Sequence, residues 1–167
     1  QNSLKQLERK EHSLTEASRI GKIGLIDSDN KDDTYTFSEN TYNIFGLNPE
    51  EGEPTLQEIV ALFDEESRKK LKQTIKSIDL KGLKGDMELK LINKKNKLVW
   101  IRHISQPIFN NQNQIIGRRA LIQDITDYKI SQLELENTNT ELQNSLKQLE
   151  RKEHSLTEAS RIGKIGL

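Results

Sequence analysis

The sequence predicts an α+β fold: a five-stranded antiparallel sheet with short helices on one face, framed by a long helix at each end. Three observations predict it. Apolar and polar residues alternate through the consecutive segments Asp86–Ile92, Lys97–Pro107 and Ile115–Ile125, the period-two pattern of strands that bury one face. The links between them, Asn93–Asn96 and Asn110–Asn113, are short and Asn-rich, as hairpin turns require. Helix-forming residues without Gly or Pro fill residues 1–18 and 127–162.

Taken in order, residues 1–18 read as helix, with Gly21 and Gly24 as stop signals. Ile23–Ile26 reads as a short strand, Asp27–Asp33 (DSDNKDD) as a polar turn, and Thr34–Phe37 (TYTF) as a β-branched and aromatic second strand. Ser38 is placed to N-cap a short helix closed by Gly46. A loop spans Pro49–Pro54, and Leu56–Phe63 is a short amphipathic helix. Asp64 is placed to cap the longer helix DEESRKKLKQTIKSI, whose first turn is acidic. After the three strands, one helical pattern runs from Thr126 to about Ile162.

Composition agrees with a small globular domain plus non-globular helix. The hydrophobic fraction is 32% and the charged fraction 31%, whereas compact domains hold about 45–50% apolar residues with Gly counted. Solvated helices dilute the average in this way. Lys+Arg and Asp+Glu balance at 26 each, so charge gives no reason to expect nucleic acid or an anionic membrane as partner. The absence of Cys removes disulfides, thiolate metal sites and cysteine nucleophiles, and fits a cytoplasmic setting. No apolar run approaches the roughly 20 residues of a membrane helix. The chain opens with Gln, and reads as a piece of a longer protein.

The loudest feature is a repeat. Residues 1–25 (QNSLKQLERKEHSLTEASRIGKIGL) recur letter for letter at 143–167, 142 residues later. Two readings stand: an array of near-identical 142-residue units, or a duplicated linker. The array is preferred. The period exceeds the 20–50 residues of solenoid repeats, so each unit would be a whole domain. The expected organisation is a linker helix at 1–18, a domain at 19–126, a helix at 127–162 and the start of the next unit at 163–167.

Four stretches, in this order, resemble the PAS family, in the branch that ends in a DIT box. RIGKIG at Arg19–Gly24 is similar to its opening strand. SENTYNIFGLNPEE at Ser38–Glu51 resembles its S-x-x-x-Y-x-I-x-G-x-x-P-E-E helix. KNKLVWIRHISQPIFNNQNQIIG at Lys95–Gly117 resembles its W-…-P-I-x-D-x-x-G hairpin, and DITDYK at Asp124–Lys129 its exit. The chain departs at Ile26-Asp27-Ser28, where the family often has Trp-Glu-Trp, and at Lys95-Asn96 in place of Asp-Gly. The resemblance implies a PAS fold and a sensory module that binds a small ligand or none. It also implies relay of strain into flanking helices, dimerisation through them, and association with histidine kinases or cyclases.

Candidate chemistry is sparse. His12 and His154 are repeat copies in KEHSL on polar helix; the letters only weakly match a phosphoacceptor box and read as a solvated face. His103 shares a strand face with Ile101 and Ser105 and is placed to face a cavity. The resemblance puts haem ligands in the helical half, which holds no His, and flavin adduct chemistry needs a Cys. The acidic loop Asp27–Asp33 lacks the Gly and closing Glu of a calcium loop. No cofactor, metal or catalytic residue is therefore expected, and no enzyme activity.

The expected relay residues are Trp100, Arg102, Asp124, Ile125 and Thr126. Trp100 lies on the strand face opposite Val99 and Ile101. Thr126 is placed to N-cap the exit helix, and Asp124 to pair with a cation such as Arg102. In that helix Leu135, Leu142, Leu149 and Leu156 recur every seven residues, with Leu146 four after Leu142. This is a d-position ladder with polar residues Gln132, Asn139, Glu153 and Ser160 at the other a positions, a weak coiled-coil seam. It predicts a homodimer, with adjacent repeats as further neighbours. The functional expectation is a sensory and relay domain in a multi-PAS signalling protein. The alternative is a ligand-free spacer or dimerisation unit, which exact repetition favours.

Overall fold

The computed structural model describes residues 2–165. Helix α1 covers Asn2–Ile20, followed by strands β1 (Ile23–Asp29) and β2 (Thr34–Phe37). Three short-to-medium helices follow: α2 (Glu39–Phe45), α3 (Leu56–Leu62) and α4 (Glu65–Lys81), with a 3-10 turn at Pro49–Glu51. Strands β3 (Gly85–Ile92), β4 (Leu98–Phe109) and β5 (Ile115–Asp124) lead into helix α5, Thr126–Ile165. The predicted α+β class holds. The five strands form one antiparallel sheet in the order β2-β1-β5-β4-β3. The chain divides into two units, residues 1–126 and 127–167.

Alternation decides which sheet face is buried. On β3 and β4, Leu89, Leu91, Val99 and Ile101 point inward, joined by Ile122 of β5. Facing them are Ile44 and Phe45 of α2, Ile59 of α3, Phe63, and Leu71 of α4. Removing this surface from water is the main stabilising term, about 25 cal/mol per Å2 of apolar area. Both Asn-rich turns close as predicted. Asn93 and Asn110 each accept two backbone N–H bonds on their side-chain oxygens. Asn96 and Asn113 adopt the left-handed conformation, which Asn tolerates better than most side chains.

Four local expectations change. Strand β1 runs on to Asp29 and absorbs the first half of the predicted polar turn, because Asp27 lies beside Arg119 of β5 and receives both its Nε and Nη2 at 2.7 Å. Gly24 lies inside β1 rather than stopping α1; a Cβ there would stand 2.6 Å from Thr41 Oγ1, so the glycine lets α2 approach the strand. Ser38 occupies the N-cap position of α2 without capping it; its hydroxyl instead accepts the Leu25 N–H at 2.9 Å. Residues 163–165, expected to start the next unit, continue α5 as helix. A strand requires a hydrogen-bonded neighbour, and no described residue pairs with them. Gly166 and Leu167, which complete that expectation, lie outside the described residues.

Candidate functional site

A cavity of ≈ 60 Å3 lies between the inner sheet face and the helices. Its helical wall is apolar: Phe45, Ile59, Phe63, Leu71, Ile75 and Ile78. Its sheet wall is mixed. His103 and Ser105 are spaced two apart on β4 and so project from the same face. Arg118 and Ala120 stand beside them on β5, and Ser28 on β1.

Most polar groups of that wall satisfy one another. Arg118 Nη1 contacts both oxygens of Asp79 on α4, at 2.7 and 2.8 Å, and Nη2 donates to the Tyr35 hydroxyl at 3.1 Å. The Ser28 hydroxyl accepts from the Arg118 backbone N–H at 3.1 Å. His103 and Ser105 differ. They are only 8% and 3% exposed, and His103 Nδ1 and Ser105 Oγ have no hydrogen-bond partner among the described residues. Each such atom costs about 1–3 kcal/mol when left unsatisfied. Burial pushes the His103 imidazole down to about 4, so it is neutral near pH 7. The alternation of Ile101, His103 and Ser105 made this face legible in the sequence. The Arg118–Asp79–Tyr35 cluster was not, because its members come from three distant segments.

The second place of interest is where β5 becomes α5. The Trp100 backbone N–H donates to Thr126 Oγ1 at 3.0 Å, and the Ile125 N–H donates to the Trp100 carbonyl at 2.8 Å. The Thr126 hydroxyl and N–H both donate to Asp124 Oδ1, at 2.5 and 2.9 Å. Four of the five expected relay residues thus share one hydrogen-bonded knot. Two details differ from expectation. Thr126 is the first helical residue rather than the cap, and the Asp124 carboxylate takes its N–H. Arg102 forks onto Asp86 of β3 at 3.0 and 2.7 Å rather than onto Asp124, because Arg102 and Asp86 sit diagonally on adjacent strands, Arg102 opposite Glu88 and Asp86 opposite Ile104. The guanidinium holds the Asp86 carboxyl below its usual range. The Trp100 ring lies under Lys90 Nζ, 5.7 Å from its centroid.

The family model for the PAS domain matches residues 24–127. The chain belongs to the PAS family. Solved structures agree on the fold. A sensory box histidine kinase/response regulator from Burkholderia thailandensis is 20% identical, with a TM-score of 0.62 over 78% of this chain and 98% of that one. A domain of a putative light and redox sensing histidine kinase from Haloarcula marismortui is also 20% identical, with a TM-score of 0.54 over 71% and 99%. The N-terminal domain of a diguanylate cyclase with PAS/PAC sensor from Marinobacter aquaeolei is 9% identical, with a TM-score of 0.56 over 64% and 98%. No curated protein matches the chain significantly. PAS domains are generally sensory rather than catalytic. No helix among the described residues is long and apolar enough to cross a membrane.

The predicted seam residues of the PAS exit helix, Leu135, Leu142, Leu146, Leu149 and Leu156, are all more than half exposed. So are their first-copy counterparts Leu4, Leu7 and Leu14 on α1. His12 is exposed, and His154 is exposed with Nε2 3.4 Å from Glu158, one turn on.

Proposed function

We propose that this PAS domain is a relay unit of a multi-PAS signalling protein associated with a histidine kinase. It converts a change on the inner face of its sheet into a change at the start of α5. The observation that carries this reading is the Trp100–Asp124–Thr126 knot. Thr126 is at once the first residue of the exit helix and the acceptor for a backbone N–H of strand β4, which lies between β5 and β3. Asp124 holds both donors of Thr126 on one carboxylate oxygen. A shift of β4 along its length therefore loads the first turn of the helix, through a charge-assisted bond that is stronger than a neutral one.

The output is pairing of α5 with α5 of a second chain along Leu142, Leu146, Leu149 and Leu156. A lone helix with one narrow apolar stripe is marginal in water, and the exposure of these leucines favours a partner. Asn139 and the other polar a positions weaken the seam and permit more than one register, which suits a helix that switches. In a tandem array the same segment would serve as exit helix of one unit and opening helix of the next. Exact repetition keeps a second reading alive, a spacer that binds nothing.

Sedimentation of the chain at tens of micromolar tests the output. A dimer is expected, and a monomer for the double variant Leu142→Asp with Leu149→Asp. A monomeric parent chain, or a double variant that remains fully dimeric, removes the seam from the interface and the relay from its physical basis.

A further inference from the structure

We propose that the groove between α3 and α4 is the docking site for an acidic amphipathic helix of a partner protein. The partner's apolar stripe lies on Leu56, Val60 and Leu80, and its carboxylates meet Arg68, Lys72 and Lys76. This inference goes beyond the relay reading and does not depend on it.

The groove has a volume of ≈ 840 Å3 and is open to solvent. Its α3 wall is formed by Leu56 and Val60, four residues apart and half-buried. Leu80 of α4, also on the groove, is 70% exposed, so a partner that covers it removes apolar surface from water. Along α4 stand Arg68, Lys72 and Lys76, all exposed and spaced to share one helix face.

The arrangement of charge on α4 points to the partner's sign. Lys69 and Lys70 each reach back to a Glu one turn earlier, Glu65 and Glu66, at 2.9 and 2.6 Å. In the groove row the residue four before Lys72 is Arg68, and the residue four before Lys76 is Lys72. Like charges at that spacing destabilise a helix, so the row opposes the folding of α4 until an anionic partner covers it. Asp79, the carboxylate that lines the groove, is held through both oxygens by Arg118 Nη1. The Arg68 Nε donates to the Phe63 carbonyl at 2.9 Å, which fixes the guanidinium at one end of the row.

Shape points to a helix. From Arg68 to Leu80 the groove follows about 18 Å of α4, which matches about three turns of a partner helix. Successive cations rise about 6 Å along the axis, the interval of Glu residues repeated every three or four positions. Such a helix lays its apolar stripe into a groove between two others. An anionic lipid surface is flat, and would meet the rims of the groove rather than Leu56 and Val60.

The probe is a labelled peptide of two tandem copies of Leu-Glu-Ala-Leu-Glu-Glu-Ala, titrated into the chain and followed by fluorescence anisotropy and by backbone amide shifts. Its counterpart carries Lys at every Glu. The acidic peptide is expected to saturate and to shift amides of α3 and α4. Binding should weaken as salt is raised from about 0.1 M to about 1 M, where the Debye length falls from about 10 Å to about 3 Å. Lys72→Glu with Lys76→Glu should weaken it about tenfold or more and gain affinity for the Lys peptide. Leu80→Ser should weaken it about threefold or more. Lys72→Ala with Lys76→Ala should also weaken it, and without partner should not lower the unfolding temperature; this variant carries the test should the Glu variant fail to fold. The proposal is overturned if the acidic peptide does not saturate, if the Lys peptide binds the parent chain as tightly, or if neither double variant changes affinity. It is also overturned if phosphatidylserine vesicles bind through the same two lysines while the peptide does not.

Discussion

The two copies of the 25-residue repeat adopt different structures. In the first, the helix ends at Ile20; Lys22 takes a left-handed backbone at φ 51°, and Ile23 begins β1 opposite Gln123 of β5. The Lys22 carbonyl accepts the Asp124 N–H at 3.0 Å, which locks the turn to the far end of β5. In the second copy the corresponding residues 161–165 remain helical through Gly163, where an added Cβ would meet nothing within 4 Å. The same letters give a turn and strand in one place and helix in the other. What differs is the presence of β5. A helix closes its hydrogen bonds locally, whereas a strand leaves donors and acceptors that only a neighbour satisfies.

The largest test of this comparison removes the neighbour. Gly117 of β5 lies opposite Asp29, and a Cβ on it would stand 2.0 Å from the Ser28 carbonyl oxygen. Gly117→Ala forces β1 and β5 apart at that point. It is expected to cost more than about 3 kcal/mol, in the severe tail of single substitutions, measured by urea unfolding. Amide exchange should show Ile23–Asp29 losing protection while residues 143–160 are unchanged. If protection of β1 survives, pairing with β5 is not what makes the first copy a strand.

Acid sharpens the comparison next, because His103 belongs to the sheet that holds the first copy. Its folded value is pushed down to about 4 by burial, from an ordinary 6.5. Between these values the unfolded chain binds a proton that the folded domain refuses. Stability therefore falls as pH drops from 6.5 to 4, by on the order of 3 kcal/mol if the full shift is expressed. The stabilisation from Asp64 and Asp86, whose carboxyls are lowered by Ser67 and Arg102, is lost mainly below that window. Chemical denaturation at several pH values should show the slope in the parent chain. His103→Phe should abolish it and, by deleting an unsatisfied buried group, should not lower stability near pH 7. A parent chain with flat stability from pH 6.5 to 4 contradicts the burial of His103.

A smaller effect is expected at the knot. Thr126→Val removes the acceptor for the Trp100 N–H and one donor to Asp124. A loss of about 1–3 kcal/mol is expected, with the first turn of α5 exchanging faster. Thr126→Ser, which keeps the hydroxyl, should recover most of it.

The smallest effect compares the copies directly. Gly163→Ala replaces a poor helix former in open space and should raise helicity, by about 1 kcal/mol of propensity, seen as increased 222 nm ellipticity. Gly21→Ala, the same change in the first copy, crowds the Ala17 carbonyl oxygen at 3.2 Å and the Ile23 side chain at 3.1 Å. It should destabilise instead. Equal signs at the two sites would mean that the copies do not differ in backbone state.

Much of this was legible from residues alone. The period-two alternation from Asp86 to Ile125 identifies three strands and their buried faces, because burial of one face imposes that pattern whatever the partners are. The Asn-rich turns were readable because Asn tolerates the left-handed backbone that Asn96 and Asn113 adopt. His103 and Ser105 could be assigned to one face by counting. The length of α5 followed from an uninterrupted run of helix formers.

Other features depend on residues brought together across the chain. Asp27 left the acidic loop for a strand because Arg119 lies beside it, 92 positions away. Arg102 found Asp86, Ser38 found Leu25, and Arg118 collected Asp79 and Tyr35. The sequence by itself determined the elements whose hydrogen bonds and amphipathic pattern are local. Only the tertiary structure decided that Ile23–Asp29 is a strand, which side chains satisfy which, and that His103 Nδ1 and Ser105 Oγ are left over, because each of these depends on atoms from distant segments meeting in one place.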